Sequence, residues 1–213
     1  MLFNSSDATL FAEKLLTIGA IKLRPNEPFT WASGWRSPIY CDNRLTLSFP
    51  EIRTWLKNTL ANGISQKFPG VEIIAGVATA GIPHGALVAD ALNLPFIYVR
   101  SEAKKHGLSN QIEGKLPEGA KVVVIEDLVS TGGSSLTAVQ ALRNAGANVM
   151  GMTALFTYAF DIADEAFKQA DCNLYTLSDY PSLIQYALTK EIIARDTESL
   201  LNDWRQNPSG WMQ

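Results

Sequence analysis

Two adjacent carboxylates, Glu126 and Asp127, are the residues of this chain with the clearest potential for chemistry. They follow four β-branched apolar residues, Val122 to Ile125, and this run predicts a short strand buried on both faces of a parallel sheet. The acids lie where that strand is expected to end. A loop of small and hydroxyl residues, Ser130 to Gly133, comes next, and a helix is expected to begin directly after it. The N–H groups of such a turn and the helix dipole can bind a phosphate, and glycines let the backbone approach the anion.

Carboxylates beside a phosphate site would repel a bare phosphate, so their presence limits the type of ligand. They are consistent with a ligand that carries hydroxyl groups, which can donate to them, or with a divalent metal that bridges the charges. A phosphorylated sugar supplies the hydroxyls, and a diphosphate with Mg²⁺ supplies the metal. The chain has neither the Gly-Lys-Ser/Thr of a nucleoside-triphosphate loop nor the G-x-G-x-x-G of a dinucleotide site. The alternative is an ordinary buried strand that ends in two acidic residues.

A second group of chemically useful residues lies between positions 100 and 114. Here Arg100, Lys104, Lys105 and His106 place four cationic or potentially cationic side chains within seven residues. Arg100 can form paired hydrogen bonds with a phosphate, and the others add charges or donors. A loop of this length inside a compact domain is usually functional or disordered. Next to an anion site, it is expected to act as a cationic lid that closes over a diphosphate leaving group and excludes water. The alternative is a solvent-exposed basic loop.

The elements that must position these groups alternate between strands and helices. Buried strands are expected at residues 71–77, 95–99, 121–125 and 149–157. Helical spacing of apolar residues after Pro50, and in the segments between these strands, predicts helices that flank the sheet. Such alternation indicates an α/β fold with a mostly parallel central sheet. Ligands of such sheets lie beyond the carboxyl ends of the strands, where the loops that follow them converge.

The remaining segments are expected to complete a single domain. Asp7 or a preceding serine is expected to cap a first helix that runs to about Ile18. Short strands at about 20–48 predict a small N-terminal hood, and the core is expected to run from about 50 to 160. Residues 161–213 are expected to form a mostly helical C-terminal region with a frayed end.

Composition limits the class of protein. The 213 residues, 46% of them hydrophobic, can form a good core, and a net charge of −3 provides no positive field for nucleic acid or an anionic membrane. Asp7, Glu13 and Lys14 argue against an N-terminal secretion signal, and no apolar run approaches the ~20 residues of a membrane span. Cys41 and Cys172 are expected to be reduced thiols, and two histidines are too few for a histidine-built zinc centre unless acidic residues complete it. We therefore expect a soluble, cytoplasmic protein that acts on small molecules.

Four stretches together resemble the orotate phosphoribosyltransferases, which belong to the type I phosphoribosyltransferase family. The stretch 122–135 is similar to the phosphoribosyl-diphosphate motif of the whole family. Residues 29–34 with 37–40 in the hood, 76–83, and 100–107 in the lid are similar to the orotate-specific members. The stretches occur in the expected order.

The resemblance implies the type I phosphoribosyltransferase fold and a defined reaction. Orotate and 5-phosphoribosyl 1-diphosphate would give orotidine 5′-monophosphate and diphosphate, with Mg²⁺, as a step of de novo pyrimidine (UMP) biosynthesis. The transition state would resemble an oxocarbenium ion, so that catalysis depends on the placement of charge rather than on covalent attack. The resemblance also implies a homodimer in which each lid closes over the neighbouring subunit's site.

Carried over position by position, the resemblance assigns the site residues. Arg100, Lys104 and His106 would be catalytic and would contact the diphosphate, with Lys104 the main catalytic residue. Glu126 and Asp127 would bind the ribose hydroxyls. The other residues that would bind the phosphoribosyl donor are Leu128, Val129, Ser130, Thr131, Gly132, Gly133 and Ser134, and Val129 to Ser134 would surround the 5′-phosphate. Ser130 would also contact orotate. Mg²⁺ would be held mainly by the diphosphate and the ribose hydroxyls, with no direct protein ligand.

One departure from the family pattern leads to a further hypothesis. One branch of the family places an orotate-binding lysine where this chain has Ala32. Residues 42–44 resemble the other branch, so Arg44 is expected to bind the orotate carboxylate; the alternative is a surface arginine. Two other functions remain open, transfer to another base such as a purine, and a regulator that binds the donor without chemistry. Ser37-Pro38 and Arg44 argue against the first, and the cationic lid argues against the second.

Overall fold

The computed structural model describes residues 1–31, 33–101 and 111–212, so Ala32, Lys104, Lys105 and His106 lie outside the described residues. The helices are α1 (Ser5–Thr17), α2 (Pro50–Lys67), α3 (Gly81–Leu92), α4 (Gly133–Asn144), α5 (Asp161–Gln169), α6 (Tyr180–Thr189) and α7 (Glu198–Gln206). The strands are β1 (Ile21–Leu23), β2 (Phe29–Thr30), β3 (Arg36–Ser37), β4 (Ile39–Cys41), β5 (Ile73–Val77), β6 (Phe96–Val99), β7 (Ile112–Glu113), β8 (Lys121–Val129), β9 (Asn148–Thr157) and β10 (Leu174–Asp179). Two 3₁₀ helices occupy Asn43–Ser48 and Arg195–Thr197.

The centre of the fold is a six-stranded sheet with the strand order β10-β9-β8-β5-β6-β7. The strands from β10 to β6 pair in parallel, and β7 joins the edge next to β6 in the antiparallel direction. The predicted α/β fold with a mostly parallel sheet is therefore confirmed. The two-residue strand β7 was not predicted, because its segment has no periodicity and its pairing depends on β6.

Helices cover both faces of this sheet. Helices α1, α2, α3, α6 and α7 pack on one face, and α4 and α5 pack on the other. In β8, Val123 and Ile125 belong to the first core and Val122 and Val124 to the second, and all four are fully buried. Because both faces are buried, the strand is a continuous apolar run, and each such side chain contributes about 1.5–3 kcal/mol of hydrophobic stabilisation. No helix in the described ranges is both long and apolar enough to cross a bilayer.

Strand β8 does not end at the two acids, and the expectation that it would is wrong. It continues to Val129 because β9 pairs with it along this whole length, with Glu126 opposite Ala154 and Val129 opposite Thr157. The acids therefore belong to the last part of a central strand, where the sheet holds their backbone.

The chain changes direction across the sheet at strand β5. From β5 it passes through α3 to β6 on one side, and after β7 it returns to β8 on the other side of β5. The loops after β5 and β8 consequently lead into helices on opposite faces, α3 and α4. This divergence opens a crevice at the carboxyl ends of the two strands, which is where open α/β sheets bind their ligands.

The N-terminal segment carries short antiparallel pairs next to this crevice. Strand β1 pairs with β4, and β2 pairs with β3. Pro38 separates strand β3 (Arg36–Ser37) from strand β4 (Ile39–Cys41). The division into hood, core and C-terminal region stays a prediction.

The ends of the chain differ from two expectations. Helix α1 is capped by Asn4, whose side chain accepts a hydrogen bond from Ser6 N, and Asp7 lies in the first turn instead. Fraying was expected at residues 208–210, but Trp211, directly after them, is only 8% exposed and belongs to the main core.

Candidate active site

Two adjoining cavities lie in the crevice. The first, about 400 Å³ and named here the acid cavity, is lined by Cys41, Asp42, Arg44, Val77, Ala78, Thr79, Ala80, Glu126, Asp127, Leu128 and Ser134. The second, about 300 Å³ and named the aromatic cavity, is lined by Thr30, Trp31, Tyr40, Cys41, Leu128, Ser130 and Tyr158. Cys41 and Leu128 line both, so a ligand with two unlike ends could extend from one cavity into the other.

Glu126 is the more buried of the two acids, with 7% of the residue exposed. Its Oε2 accepts a hydrogen bond from Ser135 Oγ at 3.1 Å, and its Oε1 accepts one from Asp127 N at 3.1 Å. Burial, reinforced by the neighbouring charge of Asp127, raises the pKa of Glu126 to about 8. Burial also raises the pKa of Asp127. Hydrogen bonds donated by a ligand's hydroxyls would favour the ionised form of these acids, so such a ligand would displace a proton as it binds.

Asn43 connects the hood to strand β8, which carries the two acids. It is 1% exposed, and its Nδ2 donates to Asp127 O at 2.7 Å. Cys41 Sγ lies 3.5 Å from Asn43 Oδ1, and burial raises the pKa of Cys41, so the thiol keeps its proton and can donate. Sequence reasoning missed Asn43, although it lies inside the Asp42–Arg44 stretch that had been singled out.

The turn after β8 has the geometry expected for an anion site. Gly132 has φ +84°, and a Cβ there would lie 2.9 Å from Phe167 Cε2, so this position requires glycine. Gly132 precedes α4 and offers no side chain to cap it, which leaves the first N–H groups of the helix for a ligand. A Cβ on Gly133 would meet nothing within 4 Å, so space is open at the start of the helix.

The predicted donor-binding residues do not all face the crevice. Glu126, Asp127, Leu128 and Ser134 line the acid cavity, and Ser130 lines the aromatic cavity. Thr131, Gly132 and Gly133 form the turn and the start of α4. Val129 is buried, and its carbonyl accepts hydrogen bonds from Thr157 Oγ1 at 3.1 Å and Tyr158 N at 3.2 Å. The contribution of Val129 is therefore to hold the turn against β9.

Aromatic rings from distant parts of the chain form the second cavity. The rings of Trp31 and Tyr158 lie 5.0 Å apart between centroids at an interplanar angle of 35°, and Trp31 Nε1 donates to Ile39 O at 3.2 Å. Burial raises the pKa of Tyr158, so this wall stays uncharged. Flat apolar walls next to a hydroxyl suit a planar heterocycle. Sequence reasoning named neither ring as a site residue, because their proximity depends on the fold.

The two predicted site arginines have partners of their own. Arg44 is 62% exposed at its side chain and forms a paired contact with Asp42, with Nε to Oδ1 at 2.7 Å and Nη2 to Oδ2 at 3.0 Å. This contact lowers the pKa of Asp42 and holds the guanidinium at the edge of the acid cavity rather than in the aromatic cavity. Arg100 follows β6, and its Nη1 lies 3.5 Å from Glu113 Oε1. The predicted lid residues Lys104 and His106 lie outside the described residues.

The side chains that could coordinate a metal can be compared with the ligands that Mg²⁺ requires. In the described part of the chain, no group of three or more His, Cys, Asp or Glu side chains could hold a metal ion. Mg²⁺ binds oxygen ligands and usually needs only one or two carboxylates in addition to substrate phosphates and water. The two carboxylates of the acid cavity fit an ion that a bound diphosphate brings with it.

Comparison with known proteins shows what the chain is similar to. A family model described as the phosphoribosyl transferase domain matches residues 44–177. The chain is 58% identical over 202 residues to the orotate phosphoribosyltransferase of Bacteroides thetaiotaomicron, with 95% of each chain covered. It is 54% identical over 200 residues to the orotate phosphoribosyltransferase of Listeria innocua, which covers 94% of this chain and 96% of that one. The crystal structure of orotate phosphoribosyltransferase from Aeropyrum pernix matches with a TM-score of 0.73 and 30% identity, over 82% of this chain and 96% of that chain.

Proposed function

The chain belongs to the orotate phosphoribosyltransferase family, as its four sequence motifs predicted, and we propose from this that it makes orotidine 5′-monophosphate. It transfers the 5-phosphoribosyl group from 5-phosphoribosyl 1-diphosphate to orotate and releases diphosphate, as a step of pyrimidine biosynthesis. The observation that carries the proposal within the structure is the pair of adjoining cavities. One end suits a phosphorylated ribose and the other suits a planar base, with Leu128 between them.

The donor is bound at its two ends and across its ribose. The 5′-phosphate lies in the turn from Ser130 to Gly133, against the N-terminus of α4, where N–H groups and the helix dipole favour an anion. Glu126 and Asp127 accept hydrogen bonds from the ribose hydroxyls. Cationic residues of the lid contact the diphosphate, and Lys104 carries most of this stabilisation.

The reaction exchanges one bond at C1′ of the ribose for another. The C1′–O bond to the diphosphate breaks and its electron pair leaves with the diphosphate, while a ring nitrogen of orotate bonds to C1′ and loses its proton. Positive charge develops on the ribose and negative charge on the leaving group, so groups placed in advance stabilise the transition state. Glu126 and Asp127 lie at the ribose and the lid cations at the diphosphate. The diphosphate and ribose oxygens would hold Mg²⁺, which neutralises charge on the leaving group.

The base is recognised in the aromatic cavity. Trp31 and Tyr158 provide flat walls, and Ser130 provides a hydroxyl at the boundary with the donor. Arg44 binds the orotate carboxylate. This requires its guanidinium, which lies next to Asp42 at the edge of the acid cavity, to reach the base in the adjoining aromatic cavity.

A spectrophotometric assay with the phosphoribosyl donor, Mg²⁺ and a panel of bases tests the proposed function. We expect consumption of orotate and no reaction with adenine or hypoxanthine. Reactions without the donor provide the blank, and an Asp127→Asn variant provides a matched protein control that should lose turnover. Activity with a purine and none with orotate would replace the proposed substrate.

The proposal includes assembly as a cytoplasmic homodimer whose lids are shared between subunits. Two inactive variants test the sharing, Lys104→Ala in the lid and Glu126→Gln/Asp127→Asn in the acid cavity. If each lid serves the neighbouring subunit, mixed dimers contain one intact site, and an equal mixture regains about a quarter of the wild-type activity. If each lid serves its own subunit, mixing regains nothing and the sharing is refuted.

A further inference from the structure

Helix α7, far from the acid cavity in sequence, reaches the hood through one buried side chain. Trp204 is 0% exposed, and its Nε1 donates to the carbonyl of Arg36 in β3 at 3.1 Å. This hydrogen bond joins residues 168 positions apart. The indole therefore spans the space between the C-terminal region and the hood.

The same indole packs against two of the three aromatic rings that line the aromatic cavity, Trp31 and Tyr158. Its centroid lies 5.8 Å from that of Trp31 at an interplanar angle of 88°, and 5.7 Å from that of Tyr158 at 89°. Edge-to-face contacts of this type are favourable and directional, so they limit the tilt of each ring. Trp204 itself does not line the cavity, so it would act on a bound base only through the two rings.

Further contacts, with rings that do not line the cavity, fix Trp204. Its ring lies 5.2 Å from that of Phe160 and 5.1 Å from that of Tyr180. Tyr180 Oη donates to Leu201 O at 3.2 Å, and Arg205 Nη1 donates to Ala159 O at 2.9 Å. Helix α7 is thus tied down one turn before Trp204 and again directly after it.

We propose that Trp204 is a positioning residue that sets the geometry of the base-binding cavity, and through it the affinity for orotate. The proposal rests on the proposed function. A ring held at right angles to both walls keeps their spacing and tilt matched to a planar base. The acid cavity is held by other contacts, from Asn43 and Ser135, so the donor end of the site does not depend on Trp204.

Steady-state kinetics of two substitutions test this inference. Trp204→Phe removes the Nε1 donor and part of the ring, and Trp204→Leu removes the aromatic contacts. We expect KM for orotate to rise by roughly tenfold in Trp204→Leu and by a smaller factor in Trp204→Phe, since small displacements of positioning groups have effects of this order or larger. KM for the phosphoribosyl donor should change by less than about twofold in both.

Trp211→Phe is the matched control. Trp211 is a buried tryptophan of the same C-terminal region, and its ring contacts neither Trp31 nor Tyr158 in the described part of the chain. This variant should lower the melting temperature without raising KM for orotate relative to KM for the phosphoribosyl donor. A purely structural role of Trp204 predicts the same pattern for Trp204→Phe as for the control.

The outcomes separate the inference from the proposed function. If the wild type uses orotate and the Trp204 variants change both KM values by the same factor, or neither, the inference is refuted and the function stands. If Trp204→Leu fails to fold, Trp204→Phe decides between these results. If the wild type does not use orotate, the proposed function fails, and the inference fails with it.

Discussion

Binding of the phosphoribosyl donor should depend on the ionisation of Glu126. The proposed donor site requires carboxylates that accept hydrogen bonds from ribose hydroxyls, but burial raises the pKa of Glu126 to about 8 in the free protein. At neutral pH the donor must therefore displace a proton from this residue as it binds. We expect affinity to increase with pH and a proton to be released on binding.

The magnitude follows from the pKa. With a pKa of about 8, roughly one Glu126 in ten is ionised at pH 7, and ionising the rest costs on the order of 1 kcal/mol. Below pH 8 the affinity should fall by up to about tenfold per pH unit, and above pH 8 it should level off. The pH dependence of folding stability has the opposite sign to that of donor affinity. Between about 4.5 and about 8 the folded protein binds more protons at Glu126 than the unfolded chain does, so this residue's contribution to stability is lost as pH rises through that window.

Isothermal titration calorimetry with the donor and saturating Mg²⁺ measures both quantities. Titrations at several pH values, in two buffers that differ in ionisation enthalpy, give the affinity and the number of protons released. The donor's own 5′-phosphate titrates near pH 6, so the comparison is with Glu126→Gln, which keeps an acceptor for Ser135 and cannot ionise. The pH dependence above pH 6.5 should disappear in this variant. The same slope in both proteins, or tighter binding by the wild type at low pH, would refute the reasoning.

Four further substitutions test other parts of the site. Lys104→Ala should lower kcat by about 100-fold or more with an unchanged melting temperature, and near-normal turnover would contradict the lid mechanism. Arg44→Ala should raise KM for orotate far more than KM for the donor, whereas equal increases would remove Arg44 from the base site. Gly132→Ala should lower the free energy of unfolding in urea by about 1–2 kcal/mol, because its φ is +84°; Gly133→Ala, where space is open, is the control and should have little effect, so equal losses would count against this explanation. Asn43→Ala should cost about 0.5–1.5 kcal/mol in the same measurement, because it removes the hydrogen bond that the buried Asn43 amide donates to the half-buried carbonyl of Asp127, and an unchanged stability would show that water replaces the amide.

The central part of the fold and one end of the site could be predicted because their signals are local in sequence. One stretch, residues 122–135, contains the apolar run, the two acids and the glycine turn. A strand, a turn and the start of a helix can each be recognised from so short a stretch. The point where β8 ends could not be predicted, since pairing with β9 extends the strand past the acids to Val129. Tertiary pairing here outweighs the local pattern.

The aromatic end of the site could not be predicted from local pattern. Trp31, Tyr158 and Trp204 lie in the hood, after β9 and in α7, and only the folded chain brings their rings within 6 Å of one another. A tryptophan on the apolar side of a helix is expected to be buried, but the residues next to it in sequence do not show which distant rings it contacts. Asn43 shows the same limit on a smaller scale, because its partner is a backbone carbonyl 84 residues away.

The two ends of the site are therefore encoded differently. At the donor end, the two acids and the turn after β8 come from one contiguous stretch, which lies inside the region 44–177 that matches the phosphoribosyl transferase model, although Cys41 and Asp42 also line the acid cavity and precede that region. The base end takes Thr30, Trp31, Tyr40 and Cys41 from before that region, and the ring of Trp204 from after it supports two of its walls. A change in the hood or in α7 can thus alter which base fits while the turn after β8 stays intact. The selection of orotate should therefore be sought in these outer segments together with Arg44, Ser130 and Tyr158, which lie inside the matched region.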